Sequence, residues 1–407
     1  MPKAWFACVD CSRTHDLQEL YRCPDCSGEL AIDFDLDRVK DATKFLDSWH
    51  TPRPFWDRFG AVLPLSDRRE AVTAGEGNTP LVRSGRFAEK YGLSNLHFKL
   101  ESANPTGSFK DRQVTVALSQ ARTWGRTAFA TVSSGNVGVA LSAYTARAGG
   151  DAYVWVAEGT AESKVLQIQV YGAQVFLLPD PGEQSARDYF ATYLGLQDFC
   201  AEHGLVPMIS ARPVNPYMVE GSKTISYELA AELGRTPDIV FGPVGGGGML
   251  GGVWKGFTEM RQLGLSRDVP QLWAGQPGGH HAPIDRLTDP ACDWSEHYRP
   301  LDGAWAWQSI RESGGRRHEV SDADILHAQA ELAALDGIFA EPQGAYAAAA
   351  LIKAAQAGEL PGDACTVCVI TGTGLKDMAA ARSISRDFPD RKPLRHVTLL
   401  SATSLDR

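Results

Sequence analysis

Lys110 stands in the stretch "NPTGSFKDRQ", residues 104–113, just behind a Pro-Thr-Gly-Ser turn. A lysine taken alone is an ordinary solvated charge. An amine presented by small, turn-forming residues between Phe109 and Asp111 is better placed for covalent chemistry at a carbonyl. Two further loops carry complementary groups. In "SSGN", Ser133, Ser134, Gly135 and Asn136 precede a helical pattern, and their N–H groups and hydroxyls suit a carboxylate. In "GGGG", Gly245, Gly246, Gly247 and Gly248 run from a strand pattern into a helical one, where backbone can wrap a phosphate at a helix end. The Walker spacing is not matched. A phosphate loop, a carboxylate loop and a poised amine together imply an aldehyde with a phosphate tail, pyridoxal 5'-phosphate.

A second constellation lies at the N-terminus. Cys8 and Cys11 in "CVDC", with Cys23 and Cys26 in "CPDC", form two knuckles that can converge four thiolates on a structural Zn2+. Residues 1–35 carry three basic side chains against seven acidic ones, the wrong balance for gripping phosphates. A structural or subunit-contact appendage is therefore expected. Cys365 and Cys368, in "CTVCVI", sit in a buried-strand pattern and read as core thiols.

The elements that must position these loops alternate. Strand patterns at "SNLHFKLES", "TAFATVSS", "DAYVWVA", "AQVFLLP" and "PDIVFGPV" are separated by helical patterns such as "DRQVTVALSQARTWG" and "MLGGVWKGFTEMRQLG". The alternation predicts an α/β fold, with parallel sheets flanked by helices and the three loops at strand ends. The expected organisation is a zinc ribbon over 1–35, a linker over 36–70 and a catalytic region over 71–395. A formal charge of −9 argues against nucleic acid or an anionic membrane as partner. No apolar run approaches membrane length, and "MPKAWFACVD" lacks a signal-peptide core, so a cytoplasmic enzyme is expected.

Further stretches add a family likeness. "GEGNTPL", "NPTGSFKDR", "SSGN", "VNPYMVEGSKT", "WKGFTEMRQLGL", "GIFAEPQGA" and "TGTGLKD" resemble, in order, the threonine synthase-like branch of the fold-type-II pyridoxal phosphate enzymes. The resemblance implies a two-lobed fold, with a small lobe over about 115–205 inserted in the large one, and a homodimer. It implies that Lys110 holds the cofactor covalently and that Asn136 bonds its ring hydroxyl. Gly245 to Gly248 would cradle its phosphate, and Thr371 would face its ring nitrogen. A small amino-acid substrate would lie against Ser133, Ser134, Gly135, Asn136, Val137 and residue 218.

The chain also departs from that pattern. Val137 and Met218 stand where the family places a threonine and an arginine on the substrate's own phosphate, and Gln113 stands where it has glycine. Arg212 is a nearby cation that could compensate for the lost arginine. His280 and His281 fall in an active-site loop of the family. The expected reaction is β-elimination from a small β-hydroxy or β-substituted amino acid, giving a 2-oxo acid and ammonia. Threonine synthesis from O-phosphohomoserine, or β-replacement, are the alternatives.

Overall fold

The computed structural model describes residues 4–41, 43–133, 135–178, 186–287, 289 and 297–387. The N-terminal strands β1 (Ala4–Cys8), β2 (Thr14–Asp16) and β3 (Leu30–Phe34) make an antiparallel sheet in the order β2-β1-β3. The chain then lays β4 (Leu81–Arg83) antiparallel to β5 (Leu96–Leu100). Next come β6 (Ala128–Val132), β7 (Asp151–Ala157), β8 (Gln174–Leu178) and β9 (Val206–Pro207), a parallel sheet in the order β8-β7-β6-β9. Finally β10 (Ile239–Pro243), β11 (Gln271–Pro277), β12 (Arg316–Val320) and β13 (Thr366–Ile370) return to β5. They complete a six-stranded sheet, β12-β11-β10-β13-β5-β4, parallel apart from β4. The predicted α/β class holds, and each quoted strand pattern is a strand.

Helix Lys110–Arg122 is buried along most of its length although many of its side chains are polar, so each of those needs a partner. The most demanding of them is a guanidinium. Arg112 has no solvent exposure. Its Nε donates to Glu101 at 2.7 Å, and its two terminal nitrogens reach Glu228 at 2.7 Å each. Lys99, on β5, pairs with the same Glu228 at 2.9 Å. A buried guanidinium is tolerable only with such matched partners. The cluster thereby ties β5, helix Lys110–Arg122 and helix Thr224–Leu233 together.

Two expectations change. Residues 36–70 are no mere linker: Val39, Phe45, Phe55, Trp56, Phe59, Val62 and Leu63 pack into the main core with Tyr227 and Phe257. Aromatics so spaced bury too much apolar surface to remain a spacer. The ribbon, expected as a structural or subunit-contact appendage, is built into the core. Phe6, Leu30, Ile32 and Phe34 share one core with Val114, Leu118 and Met218. The ribbon therefore lies behind the lysine-bearing helix, edge-on to Tyr217 through Phe6 at 5.4 Å. Cys365 and Cys368 are buried free thiols, as read from the strand pattern.

Replacing Arg112 by leucine leaves Glu101 buried without its cation and Glu228 with Lys99 alone. The Arg112→Leu protein should lose about 3–5 kcal/mol of stability, read from its urea midpoint at constant slope.

Candidate active site

Lys110 is the first residue of its helix, and the loop before it is stitched to the loop after β13. The Phe109 N–H donates to the Thr371 carbonyl at 3.1 Å, and Thr373 N–H to Gly107 at 3.1 Å. The Asp111 carboxylate accepts the Thr106 N–H at 2.7 Å and its hydroxyl at 2.5 Å, closing the Pro-Thr-Gly-Ser turn from below. These bonds fix where the amine leaves the backbone.

The amine enters a cavity of about 560 Å³ between the two parallel sheets. Ser133, Gly135, Asn136 and Val137 line one wall, Gly245 to Gly248 another, and Thr371 lies across from them. Ser134 lies outside the described residues. Met218 is not on the wall: it is wholly buried and packs with the ribbon, because Pro216–Glu220 is sandwiched between ribbon and helix Lys110–Arg122. Arg212 does not compensate for it. Its guanidinium pairs with Glu29 of the ribbon and lies 4.3 Å over the Trp305 ring. His281 lines the cavity with its ring edge-on to Tyr298, and burial draws its imidazole downward, toward the neutral form. His280 is exposed and does not line it.

The glycine loop is a cradle. A Cβ on Gly245 or Gly246 would meet no heavy atom within 4 Å, so their backbone faces open space. Gly247 takes φ +97°, and a Cβ there would come within 2.6 Å of the Asp302 carbonyl, so only glycine fits. Helix Gly248–Gln262 begins directly behind, with its unpaired N–H groups toward the loop. An open backbone cradle at a helix end, facing an amine, fits a phosphorylated aldehyde. The Thr131 hydroxyl, buried on the cavity wall without a partner, supplies one more polar contact.

Asn136 is held by groups the sequence reading left without a role. Lys376 donates to its Oδ1 at 2.8 Å, and its Nδ2 donates to Glu341. Lysine can only donate, so the amide oxygen must face it and the NH2 must face Glu341. Glu341 also pairs with Lys164 at 3.4 Å. Glu341 and Lys376 stand in "EPQGA" and "TGTGLKD", so the motifs marked their places but not their partners.

Electrostatically the site is poised. Burial lowers Lys110 to about 7, while Asp302 and Glu341 pull it back up. Burial pushes Asp302 up to about 7, against the pull of Arg212. Lys376 is lowered to about 8 by burial, opposed by Glu341 and Asp111. Shifts of this kind, converging on one cleft, mark a reactive site.

In the ribbon, the Cys8 and Cys26 sulfurs are 3.5 Å apart and those of Cys11 and Cys23 3.7 Å. All four lie within 4.8 Å of one another, and His15 and Asp25 stand beside Cys23. A tetrahedral Zn–S4 centre with bonds of about 2.3 Å has sulfur–sulfur edges of about 3.8 Å. The four thiols fit it.

A parallel α/β scaffold that brings an amine, a glycine cradle at a helix end and the loop around Ser133 and Asn136 into one cavity is that of an enzyme using a phosphorylated aldehyde cofactor. Residues 72–372 match the family described as "Pyridoxal-phosphate dependent enzyme", and the chain belongs to it. It is 32% identical over 394 residues to the threonine synthase of Methanocaldococcus jannaschii, covering 93% of this chain and 95% of that one. It is 37% identical over 337 residues to the threonine synthase of Synechocystis sp., covering 79% and 82%. In fold it is similar to the diaminopropionate ammonia lyase of Escherichia coli, with a TM-score of 0.63 at 18% identity over 78% of this chain and 90% of that one.

The lowered Lys110 has a consequence for stability. Its folded value of about 7 lies below the ordinary 10.5, so between these values the unfolded chain binds the extra proton. The resulting penalty is complete below about pH 7 and disappears as pH rises to 10.5. Lys110→Met should stabilise the apoprotein by a constant amount below pH 7 and by progressively less above it. Paired thermal melts across this range measure that difference.

Proposed function

We propose that this protein is a lyase that removes the β-substituent from a small, unphosphorylated β-hydroxy or β-substituted amino acid, yielding a 2-oxo acid and ammonia. The observation that carries this reading is which charges reach the cavity. Among the described residues no arginine lines it, and its lysines are Lys110 and Lys164. Lys110 is the reactive amine, and Lys164 is engaged by Glu341. A second phosphate would find Glu158, Glu341 and Asp377 on the same walls. Each absent charge-assisted bond forgoes about 1.5–3 kcal/mol.

Residue by residue, Ser133 and the start of helix Asn136–Ala148 hold the substrate carboxylate. The cofactor, when bound, supplies an electron sink for the bond broken at the α-carbon. Lys110 takes the α-proton, and its lowered basicity near neutral pH suits it to do so. Thr371 offers a neutral hydroxyl on the ring-nitrogen side. Val137 makes the adjoining wall apolar, which favours a compact side chain. The ribbon spans 1–35 and the catalytic region 71–395, with residues 388–395 outside the described range. A homodimer and a cytoplasmic location go with this reading.

A second reading, conversion of O-phosphohomoserine to threonine, is favoured by the names of the relatives at 32% and 37% identity. Holoenzyme incubated with serine, threonine, larger β-hydroxy amino acids and O-phosphohomoserine separates the two. Oxo acid and ammonia are expected from an unphosphorylated substrate. kcat/KM for O-phosphohomoserine should be lower by about tenfold or more. Efficient phosphate release with threonine formation would put the second reading in place of the first.

We also propose a structural zinc on Cys8, Cys11, Cys23 and Cys26, supported by the fit of the four sulfurs. Purified protein should contain about one zinc per chain. Because the ribbon shares a core with Val114 and Leu118, chelation should lower the thermal midpoint of the whole domain. A metal-free protein with an unchanged melt would refute the assignment.

A further inference from the structure

Gln113 follows Lys110 by one turn and points along the same side of the helix. It has no solvent exposure and does not line the cavity. It lies behind the amine. Its Oε1 accepts from Lys110 Nζ at 3.1 Å, and its Nε2 donates to Ser222 Oγ at 2.8 Å. The amide oxygen is the atom facing the amine and the NH2 faces Ser222, the orientation that an ammonium requires because it has no lone pair. Ser222 is itself fully buried, on the turn Gly221–Lys223. That turn reaches the helix because residue 221 has no side chain: a Cβ there would fall 1.9 Å from the Arg112 carbonyl. From the other side Ser210, in the loop after β9, accepts from the same Nζ at 2.5 Å. The Phe109 ring lies 4.3 Å from the nitrogen.

We propose that Gln113 and Ser210 form a holding station for the free amine of Lys110. The amine occupies it once the substrate's own amine has displaced it, and Gln113 there governs how readily it carries a proton. This rests on Lys110 being the cofactor-bearing residue, and not on which β-substituent leaves. Solvent withdrawal alone would favour the neutral amine. An amide oxygen held 3.1 Å from the nitrogen is a dipole that favours the ammonium form. The station lets Lys110 keep the proton it has taken and hold it beside the cavity. Asp302 and Glu341 also favour the charged form. Lys164, Glu158, Asp377 and His281 line the same cavity and are left in place by the changes that test the idea.

Gln113 is a positioning residue, so its test reads the amine itself. Cofactor-free protein is labelled with an amine-selective reagent from about pH 5 to 10, and modification of the Lys110 peptide is followed by mass spectrometry. Gln113→Leu should lower the labelling midpoint by about one pH unit, and Gln113→Glu should raise it by a similar amount. In the holoenzyme Gln113→Leu should reduce kcat about tenfold with little change in KM. Should the leucine variant not fold, the upward shift in Gln113→Glu decides alone. Borohydride reduction of each holoenzyme reports separately on the underlying reading. An adduct on another lysine overturns the cofactor assignment. An adduct on Lys110 with an unmoved midpoint overturns the station.

Discussion

A fully buried guanidinium governs much of this architecture. Arg112 sits two residues beyond Lys110, and no solvent reaches it. Its charge can stay there only because Glu101 and Glu228 each give it close bonds and Lys99 balances the second carboxylate. Satisfying it forces β5, the lysine-bearing helix and helix Thr224–Leu233 into one arrangement. Because a helix is stiff over a single turn, fixing Arg112 also fixes where Lys110 begins. The reactive amine inherits its position from an ion cluster that never touches the cavity.

The ribbon joins this frame from behind. Phe34 is covered by the amines of Lys223 and Lys255, at 3.8 and 5.3 Å from its ring, and the Ile32 carbonyl accepts from Lys255. Glu29 takes the Arg212 guanidinium, whose backbone N–H donates to Asp302 at 3.0 Å. Asp302 in turn donates its N–H to the Gly246 carbonyl at 2.8 Å. A continuous path of polar contacts thus runs from the cysteine ribbon to the glycine cradle. Met218 falls beside this path, and an apolar residue there completes the core shared with Phe6 and Leu118. No cation from position 218 reaches the cavity.

Much of the fold was legible because its signals are local. Period-two runs such as "DAYVWVA" became strands, and the helix after "SSGN" stops at Gly149, which takes φ +68°. The residues expected near the cofactor were readable for a similar reason, since each lies in a loop that follows a strand or at the helix start that ends it. Lys110, Asn136, Gly245 to Gly248 and Thr371 do line one cavity. What local pattern cannot show is which distant side chain comes to meet them. Lys376 lies 240 residues from Asn136, and Ser210 lies 100 residues from Lys110. Residues 36–70 misled for a related reason. Their prolines suggested a spacer, while the burial of Phe55, Trp56 and Phe59 depends on a core assembled from residues far along the chain.

The held amine and the charge reading of the cavity bear on one another. A site made for a second phosphate would need uncommitted cations beside Lys110, and each would lower the amine's basicity further by like-charge repulsion. Here the nearby cations are committed: Lys164 to Glu341, Lys376 to Asn136 and Arg212 to Glu29. The groups that face Lys110 most closely are instead neutral acceptors, Gln113 and Ser210, with Asp302 and Glu341 beyond them. Such a setting leaves Lys110 near neutrality, able both to take a proton and to give it back. In the elimination we propose, an amine of that kind supplies the proton that the departing oxygen needs. A phosphate leaving group carries its own charge into water and has less need of a proton donor. The committed cations and the lowered basicity of Lys110 therefore belong to one arrangement of charge.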